Sequence, residues 1–193
     1  MTKIAVIVGS IRENRVTDKL AKWTAEEVGK VADVEVLDLK DYPLPLFAEG
    51  TRPRLDPNYR PIPEAQKWID KLAEFDGYVI TTAEYNRSVP GALKNAFDYV
   101  NNVVTDKPAA IVAHGSTGGA QAVASLRITL PGNGMVTLPN ALFFSDSVGQ
   151  AIDEEGILKA EFQEGPYSPQ VQLNGLAASI VKYAEALKAV RAS

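Results

Sequence analysis

The sequence predicts an α/β fold built on one doubly wound parallel sheet of five strands with helices on both faces. Short apolar runs without polar alternation occupy residues 4–8, 78–82 and 109–113, as is typical of strands buried on both faces. Helix-like stretches separate these runs along the chain. The length of 193 residues is short for two ordinary domains, so we expect a single domain over residues 1–193.

Two further segments complete the predicted strands. Residues 34–39 alternate apolar and acidic side chains, which suits a strand near the edge of the sheet, and residues 141–144 are apolar enough to form the last strand. Helices are predicted from the spacing of apolar residues and from start signals such as Pro63 and Ser168, and they cover residues 17–30, 63–75, 91–101, 120–130 and 168–192.

Two stretches interrupt this alternation. Residues 42–63 hold six prolines and three arginines with little periodicity, which predicts an ordered excursion over the surface. Its role is open between a lid or interface and a plain connection. Residues 145–167 are similarly irregular and acidic in the middle.

Composition excludes several classes of function. The 24 acidic and 20 basic residues leave a net charge of −4 with no block of like charge, which favours small molecules or proteins over nucleic acid or membrane as partners. The absence of cysteine excludes disulfides, thiolate metal sites and iron–sulfur clusters, so redox chemistry would need a bound cofactor. The first apolar run is too short for a signal peptide or a membrane span, and a cytoplasmic location is therefore expected.

A loop rich in phosphate-binding groups follows the first predicted strand. Residues 9–17 read Gly-Ser-Ile-Arg-Glu-Asn-Arg-Val-Thr and lead into a helix. Backbone N–H groups at the helix start, with the hydroxyls of Ser10 and Thr17, would suit a phosphate monoester. The guanidinium groups of Arg12 and Arg15 would add charge-assisted hydrogen bonds. Alternatively, a hydroxyl caps the helix and both arginines are solvated. No P-loop or dinucleotide pattern is present, which favours a mononucleotide.

Loops after the third and fourth strands should reach the same edge of a parallel sheet. Residues 81–95 read Thr-Thr-Ala-Glu-Tyr-Asn-Arg-Ser-Val-Pro-Gly-Ala-Leu-Lys-Asn, where Tyr85 could pack beside a planar ring and Asn86 could supply an amide. The alternative is a turn in which Asn86 and Ser88 satisfy the backbone. Residues 114–120 read His-Gly-Ser-Thr-Gly-Gly-Ala, and their glycines permit close approach to a ligand or a tight turn.

His114 is the only histidine and ends a central strand. No Gly-x-Ser-x-Gly elbow occurs, and no further metal ligands stand at suitable spacing near it. We therefore favour a structural or ring-contact role for His114 over direct acid–base chemistry, and we expect neither a catalytic side chain nor a metal site.

These motifs resemble the NAD(P)H-dependent FMN reductase family of flavodoxin-like proteins, which includes chromate, quinone and azo-dye reductases. The resemblance lies in Gly-Ser-x-Arg after the first strand, Glu-Tyr-Asn-x-Ser-x-Pro-Gly-x-Leu-Lys-Asn after the third, and the glycine-rich turn after the fourth. It implies a flavodoxin-like strand order of 2-1-3-4-5 and an FMN site formed by Ser10, Arg12, Arg15, Val16, Thr17, Ala83, Glu84, Tyr85, Asn86, Ser88, His114, Gly115, Ser116, Thr117 and Gly118.

Three positions depart from the family pattern. Many relatives have proline in place of Ala83, serine in place of Arg15 and arginine in place of Gln121. Ala83 would loosen the ring loop and Arg15 would add charge against the phosphate. The resemblance also implies a homodimer or homotetramer in which the segment 42–63 and Arg127 are interface candidates.

The function implied is electron transfer from NADPH or NADH through FMN to a small acceptor such as a quinone, free flavin, azo compound or metal oxyanion. The flavin would perform the chemistry while the protein orients it, and successive use of one site by nicotinamide and acceptor would give ping-pong kinetics. The resemblance favours NADPH over NADH. The alternatives are a flavodoxin-type electron carrier and a flavin-binding sensor without nicotinamide turnover.

Overall fold

The structure is a computed structural model that describes residues 1–145 and 148–192. Asp146 and Ser147, which fall in the segment predicted to be irregular, and Ser193 lie outside the described residues.

A single parallel sheet forms the centre of the molecule. Its strands are β1 (Lys3–Val8), β2 (Asp33–Asp38), β3 (Gly77–Ala83), β4 (Pro108–Gly115), β5 (Val136–Thr137) and β6 (Leu142–Ser145). The order is β2-β1-β3-β4-β5, and β6 also pairs with β4. The predicted flavodoxin-like order 2-1-3-4-5 is therefore confirmed, with β2 at one edge.

Two short strands share the fifth position of the sheet. β5 pairs with the first residues of β4, and β6 pairs with its last four. Pro139 lies between the two strands and has no N–H to donate to a ladder, which explains the break. The sequence predicted only residues 141–144 as the last strand, because the two residues of β5 are too few to show a period.

Helices cover both faces of the sheet. Their bounds are α1 (Thr17–Gly29), α2 (Pro63–Ala73), α3 (Gly91–Asp98), α4 (Ala120–Gly132), α5 (Val148–Ala151) and α6 (Pro169–Ala192). The helix predicted over residues 91–101 ends early because the Asn101 side chain accepts a hydrogen bond from the Val103 N–H and starts a 3₁₀ turn. The helix α5 was not predicted, since one turn of helix has no recognisable spacing.

The core has two halves separated by the sheet. Along β1, Ile4, Val6 and Val8 pack against α1 and α6, whereas Ala5 and Ile7 pack against α2, α3 and α4. Because successive side chains of a strand point to opposite faces, a strand covered on both faces is largely apolar. This explains the apolar runs of β1, β3 and β4, in which the buried hydroxyls of Thr81 and Thr82 donate to backbone carbonyls.

The proline-rich segment folds back over α3. The Asn95 side chain donates to the Pro45 carbonyl (2.7 Å) and accepts from the Phe47 N–H (2.8 Å). The predicted ordered excursion is therefore present, and side-chain hydrogen bonds replace the missing backbone ladder. Within the described part of the chain, no helix combines the length and apolarity needed to cross a bilayer.

Candidate functional site

The three predicted loops meet at one edge of the sheet. Val8 pairs with Thr81, and Ala83 pairs with His114, so the strands β1, β3 and β4 end side by side. The Gly9 N–H donates to the Thr81 carbonyl (2.8 Å), which holds the first loop against the end of β3. Ligands of doubly wound sheets bind at this carboxyl edge.

The first loop leaves the N-terminus of α1 without a side-chain cap. Ser10 is buried, and its hydroxyl is 2.7 Å from the Tyr85 hydroxyl and accepts from the Arg12 N–H (3.3 Å). Thr17 is also buried and its hydroxyl lies 2.8 Å from Nε2 of His114. Val16, half-buried, is the residue before the helix and makes no side-chain cap. The Asp18 carboxylate accepts from the Lys19 N–H (2.9 Å), and the N–H groups of Thr17 and Asp18 have no side-chain partner among the described residues. The alternative that Ser10 or Thr17 caps the helix is therefore wrong.

The Arg15 side chain is buried and hydrogen-bonded to groups within the protein. The side chain is only 6% exposed, and its guanidinium donates to both carboxylate oxygens of Asp38 and to the Ser10 carbonyl. Its Nε is buried and has no hydrogen-bond partner in the described part of the chain. The alternative of two solvated arginines is wrong for Arg15, whereas Arg12 is exposed.

The second loop contains a tight turn from Tyr85 to Ser88. The N–H of each of these residues donates to the carbonyl of the other, at 2.9 and 3.0 Å. The central residues Asn86 and Arg87 have φ of 50° and 66°, a region that asparagine tolerates and arginine rarely adopts. The turn keeps the exposed Asn86 at the sheet edge, while the Tyr85 hydroxyl reaches the first loop.

Glu84 holds the third loop through hydrogen bonds. Its carboxylate accepts from the Thr117 hydroxyl (3.0 Å) and from the Gln121 N–H (2.9 Å), a favourable position for a negative charge at the N-terminus of α4. Gly119 has φ of 79°, and a Cβ there would lie 2.6 Å from the Cβ of Ala113. Only glycine fits this turn, which leaves Ser116 and Thr117 exposed beside the second loop.

His114 joins the first and third loops. It is half-buried, and its Nε2 faces the Thr17 hydroxyl. Burial lowers its pKa from 6.5 to about 4, so the imidazole is neutral at neutral pH. The remaining predicted positions contribute backbone: Ala83 is buried at the end of β3, and Gly115 ends β4.

Sequence reasoning missed Asp38 as part of this site. The residue ends β2, where it was assigned to the acidic side of an alternating edge strand. The available signal was the parallel pairing of β2 with β1, which places the end of β2 beside the start of the first loop.

The residues at this edge fit a phosphate monoester joined to a planar ring. The first N–H groups of α1 and the exposed Arg12 are donors suited to a phosphate, whereas the Arg15 guanidinium is buried against Asp38. The turn at Asn86 and the glycine-rich loop offer amide and backbone groups to a ring edge. The fold and this edge define the class of flavodoxin-like proteins with a mononucleotide site.

Comparison with known proteins identifies the family. The family model described as NADPH-dependent FMN reductase matches residues 2–150 of this chain. The chain therefore belongs to that family. The chain is 33% identical over 136 residues to an NAD(P)H-dependent FMN reductase of Nectria sp, with 67% of the chain and 68% of the relative covered. It is 31% identical to a quinone reductase of Pseudomonas putida (strain KT2440), with 66% and 68% covered.

Solved structures agree with this assignment. The flavoenzyme NAD(P)H:(acceptor) oxidoreductase FerB from Paracoccus denitrificans is similar over 96% of this chain and 98% of its own, with a TM-score of 0.75 and 26% identity. Flavodoxin 1 from Bacillus cereus, at 17% identity and a TM-score of 0.56 over 94% and 98% of the two chains, is similar in fold. The predictions of an oxidoreductase family, FMN and NAD(P)H are confirmed.

Acid should destabilise the flavin-free protein through His114. Because burial lowers its pKa to about 4 in the folded chain, the unfolded chain binds this proton at higher pH, and stability present above pH 6.5 is lost as pH falls toward 4. We expect the free energy of unfolding in urea to fall by about 2 to 3 kcal/mol between about pH 7 and about pH 4.5.

The control is His114→Gln, which can still hydrogen-bond with Thr17 but does not titrate. The variant should lose this part of the pH dependence. An equal decrease in the variant would show that other groups cause it.

Proposed function

We propose that this chain is an FMN-containing oxidoreductase of the cytoplasm that transfers electrons from NADPH or NADH to a small acceptor. The observation that carries the proposal is the meeting of an uncapped α1 N-terminus, the turn from Tyr85 to Ser88 and the glycine-rich loop at one sheet edge. Bound FMN supplies the ability to accept hydride from a nicotinamide and to pass electrons onward.

The residues divide into those that face the cofactor and those that hold the loops. Arg12 and the first N–H groups of α1 bind the phosphate, and Asn86 and Ser88 lie along the ring and ribityl chain. Tyr85 and His114 contact the cofactor while tying the loops together, and Glu84 holds the third loop. The complete proposed set is Ser10, Arg12, Arg15, Val16, Thr17, Ala83, Glu84, Tyr85, Asn86, Ser88, His114, Gly115, Ser116, Thr117 and Gly118.

We propose a ping-pong mechanism in which the oxidised nicotinamide leaves before the acceptor binds. A neutral His114 hydrogen-bonded with Thr17 is poorly suited to supply a proton, which supports a mechanism without an obligate acid or base from the protein. A relative named quinone reductase supports a quinone as acceptor, with free flavin, azo compounds and metal oxyanions as further candidates.

An anaerobic visible spectrum of the FMN-loaded protein tests cofactor and activity together. Stoichiometric NADPH or NADH, added separately, should bleach the oxidised flavin band within the time of mixing for at least one nucleotide. Addition of a quinone should then restore the band. Bound flavin that neither nucleotide reduces would favour an electron carrier or sensor instead, and failure to bind FMN would contradict the proposal.

Arg12→Ala should weaken FMN binding by about tenfold to a hundredfold, because a hydrogen bond to a charged group is worth about 1.5–3 kcal/mol. Fluorescence titration of the flavin-free protein measures the dissociation constants for FMN and riboflavin, and the riboflavin constant should not change. The control Arg52→Ala removes an equal charge from the distant proline-rich segment. Equal affinity of the wild type and Arg12→Ala for FMN would remove Arg12 from the phosphate site.

We also propose that the chain forms a homodimer or homotetramer through the segment 42–63 and α4, which holds Arg127. Three large apolar side chains in these elements are highly exposed: Leu46 (85%), Leu55 (71%) and Ile128 (80%). Arg127 is exposed beside Ile128, although its guanidinium donates to the Pro139 carbonyl. Large exposed apolar side chains are typical of association surfaces when they gather in one contact, which supports the proposal for these elements.

Ile128→Asp combined with Leu55→Asp should shift the protein to monomer in sedimentation velocity, because each change buries a charge in the contact. The control Ile157→Asp alters an exposed apolar residue outside α4 and the proline-rich segment and should leave the assembly intact. A monomeric wild-type protein would refute the interface.

A further inference from the structure

Asp38 stands beside the start of the phosphate loop although it belongs to a different strand. In the parallel ladder of β1 and β2 it pairs with Val8, the last residue before the loop. Its carboxylate accepts two hydrogen bonds from the Arg15 guanidinium, one of them 3.0 Å from Nη1 to Oδ1. Oδ1 also accepts from the Lys40 N–H (2.9 Å). Asp38 is therefore held in place by its own strand end.

The pair of Arg15 and Asp38 also fixes the position of the first loop. The Arg15 guanidinium binds Asp38, and its Nη1 also donates to the Ser10 carbonyl. The Ser10 hydroxyl in turn bonds with the Tyr85 hydroxyl of the second loop (2.7 Å). The Arg15 side chain is 6% exposed and that of Asp38 25%, so water competes little for these bonds. A bidentate arginine–carboxylate pair fixes direction as well as distance.

We propose that Asp38 is a positioning residue of the cofactor site. It orients Arg15, and Arg15 fixes the Ser10 carbonyl, so that residues 10–16 keep the conformation that receives a phosphate before the cofactor arrives. An acidic side chain thus raises the affinity of the site for an anionic cofactor. This inference depends on the proposed FMN function and assigns a further residue to it.

The direction of the effect separates this role from simple electrostatics. Removing a carboxylate near a phosphate should tighten binding if only the Coulomb interaction matters. If Asp38 orders the loop, its removal leaves the buried Arg15 unpaired, and the cost of ordering residues 10–16 falls on the binding step. The two explanations predict changes of opposite sign.

The test compares FMN and riboflavin dissociation constants for Asp38→Asn and for Glu13→Gln. Asp38→Asn keeps an oxygen for the Lys40 N–H, and Glu13→Gln removes one negative charge from an exposed side chain of the same loop. Asp38→Asn should weaken FMN binding about tenfold or more, because the cost of ordering residues 10–16 then falls on the binding step. Riboflavin binding should not change, and Glu13→Gln should leave FMN binding equal or slightly tighter.

Two further variants show whether the pair acts as a unit. The double variant Arg15→Gln with Asp38→Asn should bind FMN no more weakly than Arg15→Gln alone. Asp38→Glu keeps the charge but moves the carboxylate, so it should also weaken FMN binding. If thermal melting shows that Asp38→Asn does not fold, Asp38→Glu provides the test instead.

Several outcomes would overturn the inference. Unchanged or tighter FMN binding in Asp38→Asn would assign Asp38 no positioning role, as would equal weakening for FMN and riboflavin. Additive effects in the double variant would also contradict it. The wild-type protein is measured first: if it binds no flavin the proposed function fails, whereas wild-type binding with an insensitive Asp38→Asn refutes only the positioning role.

Discussion

The parallel pairing of β1, β3 and β4 is the constraint on which the rest of the structure depends. These strands are buried on both faces, so most of their side chains are apolar and provide no chemistry. Because the strands run in one direction, their following loops all leave at one edge, and polar groups excluded from the sheet collect there. The segments beginning at Gly9, Glu84 and Gly115 are far apart in sequence but adjacent in space for this reason. A mononucleotide site is a consequence of this topology once the loops carry phosphate- and ring-binding groups.

Polar contacts hold the loops to one another. The side chains that make these contacts could otherwise be taken for catalytic residues. Thr17 and His114 join the first and third loops, Ser10 and Tyr85 join the first and second, and the Glu84 carboxylate joins the second and third. The first two contacts satisfy hydroxyls that would otherwise be buried without a partner, whereas the contact of Glu84 with Thr117 is exposed. The arrangement suits a protein whose cofactor supplies the reactivity, because such a protein must keep its loops in fixed positions.

Local patterns in the sequence, namely apolar runs and glycine-rich turns, were sufficient for the parallel sheet, for the three loops and for their common edge, whereas the strand order came from the family resemblance. The local patterns were insufficient for β5, where two residues have no period, and for α5, which is one turn long. The partners of Arg15 were also not predictable. Its residue type fits a phosphate contact equally well, and only the register of β1 with β2 brings the Asp38 carboxylate within reach. Side-chain pairing between a loop and a neighbouring strand depends on the strand register. That register cannot be predicted from the local pattern of a single sequence.

The contrast between Arg12 and Arg15 shows how one loop can divide binding from preorganisation. Both guanidinium groups carry the same charge and lie three residues apart, but Arg12 is exposed while Arg15 is buried against Asp38. An exposed arginine can contact a phosphate directly but does little to hold the loop, since its own side chain is free to move. A buried arginine with a carboxylate partner loses that freedom on folding rather than on binding, so the ordering cost is met before the cofactor arrives. In the proposed site, Arg15 orients the loop, and the first N–H groups of α1 and the guanidinium of Arg12 then meet the phosphate without rearrangement of the backbone.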